Sequence, residues 1–406
     1  MRTHQAAKRD LAPPTVRKTV KDKLRPTAEQ DGTLACIVRR CRDLYTAALQ
    51  ERRGREAWRL RRVSSTGASQ RAHLPDITQE RPEYPDSHSP VLQEVLARLD
   101  RAFRACCRRV QHGEQPGYPR GTRGNRSASF TYKQCGTGAP RDTGSLVRAT
   151  IGCRALRGSR PLDGPPQPVT LRREADGWYA PCSGEQVPLK PLPVTGQATG
   201  QATGLALGLA SFATRANGQP VAHPRVFGGW ALPITPAQRR VGRRHTGSTG
   251  SKRRRTAVKR RAKAQQTGRR ARQDVHHKEA RPLVQAYDAL SHASLPAATL
   301  LQNHHLAKAL ADLGWRNVLR TLTCTAAEAG QQVVAGTPAC TAPACSGGGA
   351  VVRTGLSVRW QACPDGGTRL QRDQNAALNL LKRGPALRAA GQAPQVSTQP
   401  VGADVA

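Results

Sequence analysis

The chain has 406 residues, with 65 Lys and Arg against 27 Asp and Glu, a formal net charge of +38 and a pI near 11.3. Cationic groups in such excess bind polyanions through counterion release, so a nucleic acid is the expected partner and the affinity should fall steeply with salt. No stretch approaches the roughly 20 apolar residues that span a bilayer, and the opening MRTHQAAKRDLAPP lacks the apolar core of a secretory signal, so a membrane role is excluded and a cytoplasmic, nucleoid-associated location is expected.

Residues 1–17 are polar, carry Pro13 and Pro14, and read as a flexible lead-in. Within residues 18–126 two helices are expected. One covers roughly 33–58, with Ile37, Cys41, Leu44, Ala48 and Leu49 on one side. The other carries Leu92, Val95, Leu96, Leu99 and Phe103 at offsets 0, 3, 4, 7 and 11, the spacing of an amphipathic helix. A helical bundle with solvated arginines explains this block equally well. From 127 to 192 the texture changes to short strand-like runs, 128–132 and 168–172, with a hairpin signal at Asp176 and Gly177, and a small β-barrel is expected.

The repeat TGQATGQATG has neither bulk nor periodicity, and 193–203 reads as a linker. A new domain follows at 204–385: LALGLASFAT reads as a strand, Asn217 and Gly218 as a hairpin turn, and PVAHPRVF as the partner strand. Residues 239–281 hold seventeen Lys and Arg against Asp274 and Glu279. A charge run is usually a solvated face. Here the like charges would repel along a helix without an anion beside them, which points to phosphate contact by Lys252, Arg253, Arg254, Arg255, Lys259, Arg260, Arg261, Lys263, Arg269 and Arg270. The tail from 386 to 406 lacks periodicity and reads as disordered.

Several strings occur in a telling order: KLRPTAEQ, CRDLYTAALQERR, SFTYKQ and READGWY, then GLALGLASFATRANG, HHKEARPLVQAYDAL, NHHLAKALADLGW, SVRWQACP and RDQNAALNLL. Together, over roughly residues 18–385, they resemble the transposon-encoded TnpB family of RNA-guided DNA endonucleases, related to type V CRISPR effectors. The resemblance implies an α+β multidomain architecture: an N-terminal, wedge-like β-barrel with an inserted helical bundle, then a RuvC-like domain of RNase H fold with an inserted zinc ribbon. It implies guide RNA and target DNA as partners, and Mg²⁺ and Zn²⁺ as cofactors.

A RuvC-like site needs three carboxylates to hold two Mg²⁺ ions about 3.5 to 4 Å apart at the scissile phosphate. Against the family pattern, Ala206 stands where the first-strand Asp belongs, and Ala293, followed by Ser294, where the second-strand Glu belongs. Asp373 of RDQNAA is retained. Asp373 reads equally as a helix cap or an ion-pair partner. Recruiting Glu279 or Asp288 instead would require a register shift. The ribbon implied at 336–368 is degenerate in the same way: Cys345 and Cys363 each open a CxxC knuckle whose second Cys is absent, leaving Cys340 and Asp365 as makeshift donors. Without metal such a ribbon is expected to be loose.

The reading that follows is a nuclease-dead protein that binds guide RNA and target DNA without cutting. A decaying transposon relic, an endonuclease with a rearranged site, and a general cationic RNA chaperone are the alternatives.

Overall fold

The computed structural model describes residues 15–53, 67–81, 84, 88–121, 128–133, 140–141, 145–148, 152–157, 166–189, 201–222, 226–243, 251–352, 355 and 358–389. The chain forms two compact units, divided between Pro188 and Leu189. Among the described residues no helix is long and apolar enough to cross a membrane.

The first unit begins with strand β1 (Thr15–Leu24), so the expected lead-in gives way to regular structure by Thr15. Helix α1 (Ala28–Arg53) starts five residues before the expected position, because Thr27 and Gln30 form a reciprocal cap. The Thr27 N–H donates to Gln30 Oε1 (2.9 Å), and the Gln30 N–H donates to Thr27 Oγ1 (3.4 Å). The expected continuation to Trp58 lies outside the described residues. Two short helices, α2 (Gly67–Ala72) and α3 (Leu74–Glu80), precede α4 (Ser89–Gln111), which buries Leu92, Val95, Leu96 and Leu99 as its periodicity predicts.

Strands β2 (Ser129–Tyr132), β3 (Pro140–Arg141), β4 (Ser145–Arg148), β5 (Gly152–Arg157), β6 (Pro166–Glu174) and β7 (Gly177–Pro188) complete the unit. They pair antiparallel in the order β2-β6-β7-β1-β5-β4-β3. Residues Ala175 and Asp176 make the β6–β7 turn, one residue ahead of the expected hairpin signal. One core joins Ile37, Leu44 and Leu49 of α1, the α4 stripe, and Phe130, Leu171 and Trp178 of the sheet. At its edge Arg52 bonds Asp100 at 2.7 Å, with Arg71 at 3.2 Å. Burial alone would raise the Asp100 pKa, but these two guanidinium groups together hold the carboxyl below its ordinary range.

The second unit carries β8 (Ala202–Leu207), β9 (Ala213–Arg215), β10 (Pro220–Val221), α5 (Val226–Gly242), α6 (Lys252–Ala286) and β11 (Ala289–Ala293). Helices α7 (Ala297–Leu300), α8 (Ala307–Leu313) and α9 (Trp315–Ala329), strand β12 (Gln332–Gly336), the ribbon strands β13 (Trp360–Ala362) and β14 (Arg369–Gln371), and α10 (Arg372–Ala389) follow. Four sequence expectations need correction. Ala202 and Thr203, assigned to the linker, already belong to β8, while residues 191–200 lie outside the described residues. The single strand LALGLASFAT is two, β8 and β9, because the chain turns between Gly208 and Phe212, where the Gly208 N–H donates to the Phe212 carbonyl (3.4 Å). The partner strand is only Pro220–Val221, with helix α5 beginning at Val226. Finally, α10 extends through residues 386–389, previously assigned to the tail.

The main sheet runs β10-β9-β8-β11-β12, antiparallel through β8 and parallel from β8 to β12. Because side chains alternate along a strand, Leu205 and Leu290 face a core with Ala280, Leu283 and Val284 of α6 and Leu322 of α9. Gly204 and Ala206 face the opposite way, onto α10. The helix passes so close there that a Cβ at Gly204 would sit 2.8 Å from the Ala377 carbonyl carbon and closer still to its oxygen.

Candidate functional site

Parallel pairing of β8 with β11 fixes the position of the candidate site. The register matches Ala289 with Ala202 and continues to His292 with Leu205. One further step sets Ala293 beside Ala206, on neighbouring strands about 4.8 Å apart and on the face that α10 covers. Asp373 lies in the first turn of α10, and a Cβ at Gly208 would be 3.6 Å from its Oδ2. Positions 206, 293 and 373 therefore converge at one end of the sheet.

Of the three, only position 373 offers a ligand oxygen. Ala206 is buried in an apolar cluster with Ala216, Ala376 and Ala377, and Ala293 is buried at the end of β11. Among the described residues no hydrogen bond or ion pair reaches the Asp373 carboxylate, so the side chain does not act as the cap or ion-pair partner that the sequence left open. Nor do the described residues gather three His, Cys, Asp or Glu side chains in a metal-holding group anywhere. Asp288 lies at the other end of β11, where its N–H donates to Gln201 O (2.9 Å). Five residue steps along the strand separate it from Ala293, about 17 Å at roughly 3.3 Å per residue. Glu279 lies on α6.

The nearby histidines do not substitute. His292 is buried, and burial pushes its pKa below the ordinary value, with its ring nitrogen engaging only the Ala293 carbonyl. His276, stacked on Phe212 at 6.4 Å, is likewise depressed by burial, and its Nε2 donates to Leu313 O (3.2 Å).

The basic segment sits on α6, whose 35 residues extend about 52 Å at 1.5 Å per residue. Ser251 caps its start by accepting the Arg254 N–H at 3.2 Å. The C-terminal part anchors to the sheet through Ala280, Leu283 and Val284. Lys252, Arg253, Arg255, Lys259, Arg260, Lys263 and Arg269 are exposed, whereas Arg254, Arg261 and Arg270 are half-buried. The run thus presents exposed cations along the N-terminal part of α6.

The ribbon departs from its expected looseness. Cys345 and Cys363 each open a turn of one pattern. The Cys345 N–H donates to Ala350 O (2.8 Å) while the Gly349 N–H donates back to Cys345 O (2.9 Å). Cys363 repeats this with Thr368 (2.9 Å) and Gly367 (3.0 Å). Gly349 and Gly367 hold φ of 80° and 64°, the left-handed conformation that glycine adopts without penalty. The two turns share this backbone pattern although neither carries a second cysteine.

Helix α10 explains why. Asn375, 2% exposed, accepts the Ser346 N–H at 2.7 Å and donates to Ala342 O (3.1 Å) and Ala344 O (2.7 Å). One turn on, Asn379 donates to Thr341 O (2.9 Å) and Ala344 O (2.7 Å). Lys382 reaches Ser346 O, and Arg383 reaches Ala339 O at 2.8 Å. These side chains satisfy backbone groups of residues 341–346 that no regular ladder pairs. The sequence reading missed them; asparagines at i and i+4 after the ribbon were the available signal. The two thiols meet, with Cys345 held below its ordinary pKa by the Gly348 N–H, the Cys363 thiol and the Gly347 N–H. Cys340 stays exposed, at a positive φ of 58°.

A family profile described as Cas12f1-like, TNB domain, matches residues 315–380, which cover α9, β12, the ribbon and the start of α10. A Streptomyces pristinaespiralis protein assigned as an RNA-guided DNA endonuclease is 29% identical over 384 residues, covering 93% of this chain and 91% of that one. The Cas12f1 chain of a cryo-EM complex with sgRNA and target DNA shares the fold, with a TM-score of 0.54 at 11% identity over 90% of this chain and 98% of its own. Over nearly its whole length the chain is thus similar to proteins of the TnpB/Cas12f type. The family profile begins at Trp315, so its match takes in the ribbon, both thiols and Asp373 together.

Proposed function

We propose that this TnpB/Cas12f-type chain binds a guide RNA and a DNA target and holds the target without cutting it. The second unit is read as a RuvC-like domain of RNase H topology, supported by its strand order and by α10 lying across β8 and β11. The antiparallel sheet with its helices is read as the wedge and recognition block, and 336–368 as a degenerate zinc ribbon. The relative's assignment as an RNA-guided DNA endonuclease and the sgRNA and target DNA in the structural neighbour supply the partners. Exposed cations on α6 supply the grip on phosphate, while base pairing reads sequence.

The observation that carries the absence of cutting is the pair Ala206 and Ala293 facing Asp373. Methyl groups have no lone pairs, and one carboxylate does not offset dehydration of two divalent ions. The residues present therefore do not fit the Mg²⁺ pair, and no step is routed through it. Zinc fares similarly, since two thiolates supply half of a tetrahedral site.

The test is direct. The protein is purified, its co-purified RNA sequenced, and a matched DNA duplex added with Mg²⁺. One defined RNA, a protected target and intact strands are expected. Random RNA would indicate a relic, and Mg²⁺-dependent cutting abolished by Asp373→Ala would refute the reading.

A further inference from the structure

We propose that Cys345 and Cys363 are a redox-active thiol pair that closes into a disulfide, taking the place in the ribbon that metal ligation vacated. The two turns that carry them repeat one hydrogen-bond pattern, and both cysteines line a single small cavity. Each residue is buried, 8% exposed for Cys345 and 6% for Cys363, and both line that same cavity. Val352 and Leu370 wall the cavity, and its two amides are occupied elsewhere: Gln361 donates to Ala342 O (2.9 Å), and Asn375 holds Ser346, Ala342 and Ala344. Among the described residues no third soft donor lines the cavity, and they contain no group of three metal-binding side chains. The exposed residues 347–349 and 364–368 on both turns leave a short route for a small oxidant.

The oxidant is a low-molecular-weight disulfide. One cysteine thiolate attacks it, forming a mixed disulfide and releasing one small thiolate. The second cysteine thiolate then attacks the protein-bound sulfur, forming the Cys345–Cys363 bond and releasing the second. Both protons leave the protein onto the two released thiols, so one disulfide is reduced as one is made. The new bond joins the two knuckles across residues 346–362, the job a shared zinc ion does in a four-cysteine ribbon.

The full chain is reduced, desalted, and incubated with oxidised glutathione, then alkylated, digested without reductant and analysed by mass spectrometry. The expected product is a Cys345 peptide crosslinked to the Cys363 peptide, with slower proteolysis within 337–371 than in the reduced protein. Cys345→Ser and Cys363→Ser should each stop at a stable glutathione adduct on the remaining thiol. The proposal is overturned if wild-type protein also stops at adducts, if exposed Cys340 takes the place of either partner, or if elemental analysis finds one zinc per chain shielding both thiols from alkylation.

Discussion

Replacing Asn375 with alanine isolates the clamp that holds the ribbon. The side chain is 2% exposed and makes three hydrogen bonds, at 2.7, 3.1 and 2.7 Å. At about 1 kcal/mol net per bond, the loss is roughly 3 kcal/mol, concentrated on residues 342–346. Since 1.4 kcal/mol is a tenfold change in an equilibrium constant, local opening should rise by about a hundredfold. Hydrogen exchange read at the Ser346 amide in reduced protein measures this, because Asn375 Oδ1 is its acceptor. Asn375→Asp provides the sharper control. It keeps the acceptor for Ser346 but turns a donor into an oxygen facing two carbonyls, so its ribbon should loosen at least as much. If Ser346 exchange stays within a factor of three of wild type in both variants, the clamp is not what orders the ribbon.

The remaining predictions concern the sheet, the buried histidine, the basic helix and the alanine pair. Gly204→Ala drives a methyl into the Ala377 carbonyl and should destabilise the second unit by about 3 kcal/mol or more, whereas Gly32→Ala, in open space on α1, should raise stability by about 0.5 to 1 kcal/mol; thermal melts compare them. His276 has a folded pKa below its ordinary 6.5, so the unfolded chain binds the extra proton first. Stability should therefore fall as pH drops from 6.5 toward the folded pKa, and His276→Gln should flatten that slope, leaving the part due to His292. Replacing Lys259, Arg260 and Lys263 together with alanine should reduce the slope of log affinity against log salt by about 2 to 3, measured by filter binding. Ala206→Asp with Ala293→Glu should acquire a Mg²⁺-dependent rise in stability, about 2.7 kcal/mol at a hundred times the dissociation constant, which wild type should lack.

The sequence was most legible where one periodicity or one motif decides the outcome. The α4 stripe at 92, 95, 96 and 99 is buried as its spacing requires, and the order of GLALG and RDQNAA placed positions 206 and 373 on elements that the structure packs together. Less was readable where a distant partner decides. Nothing local distinguishes β8 from β9 in LALGLASFAT, since the break depends on a backbone bond across Gly208 and Phe212. Counting zinc ligands led to a loose ribbon because its order comes from Asn375 and Asn379, which lie outside it in sequence. The early start of α1 was written in Thr27 and Gln30, a capping box that hydrophobic patterning overlooks.

The side-by-side register of positions 206 and 293 bears on how such a chain evolves. Two acids on adjacent strands repel each other whenever no cation lies between them, so an active ancestor would have carried a built-in strain relieved only by its ions. Alanines remove that repulsion, and Ala206 settles against Ala376 and Ala377. Restoring one acid alone would then strand a charge among methyl groups without assembling a site. Building such a site in this chain therefore calls for both changes at once.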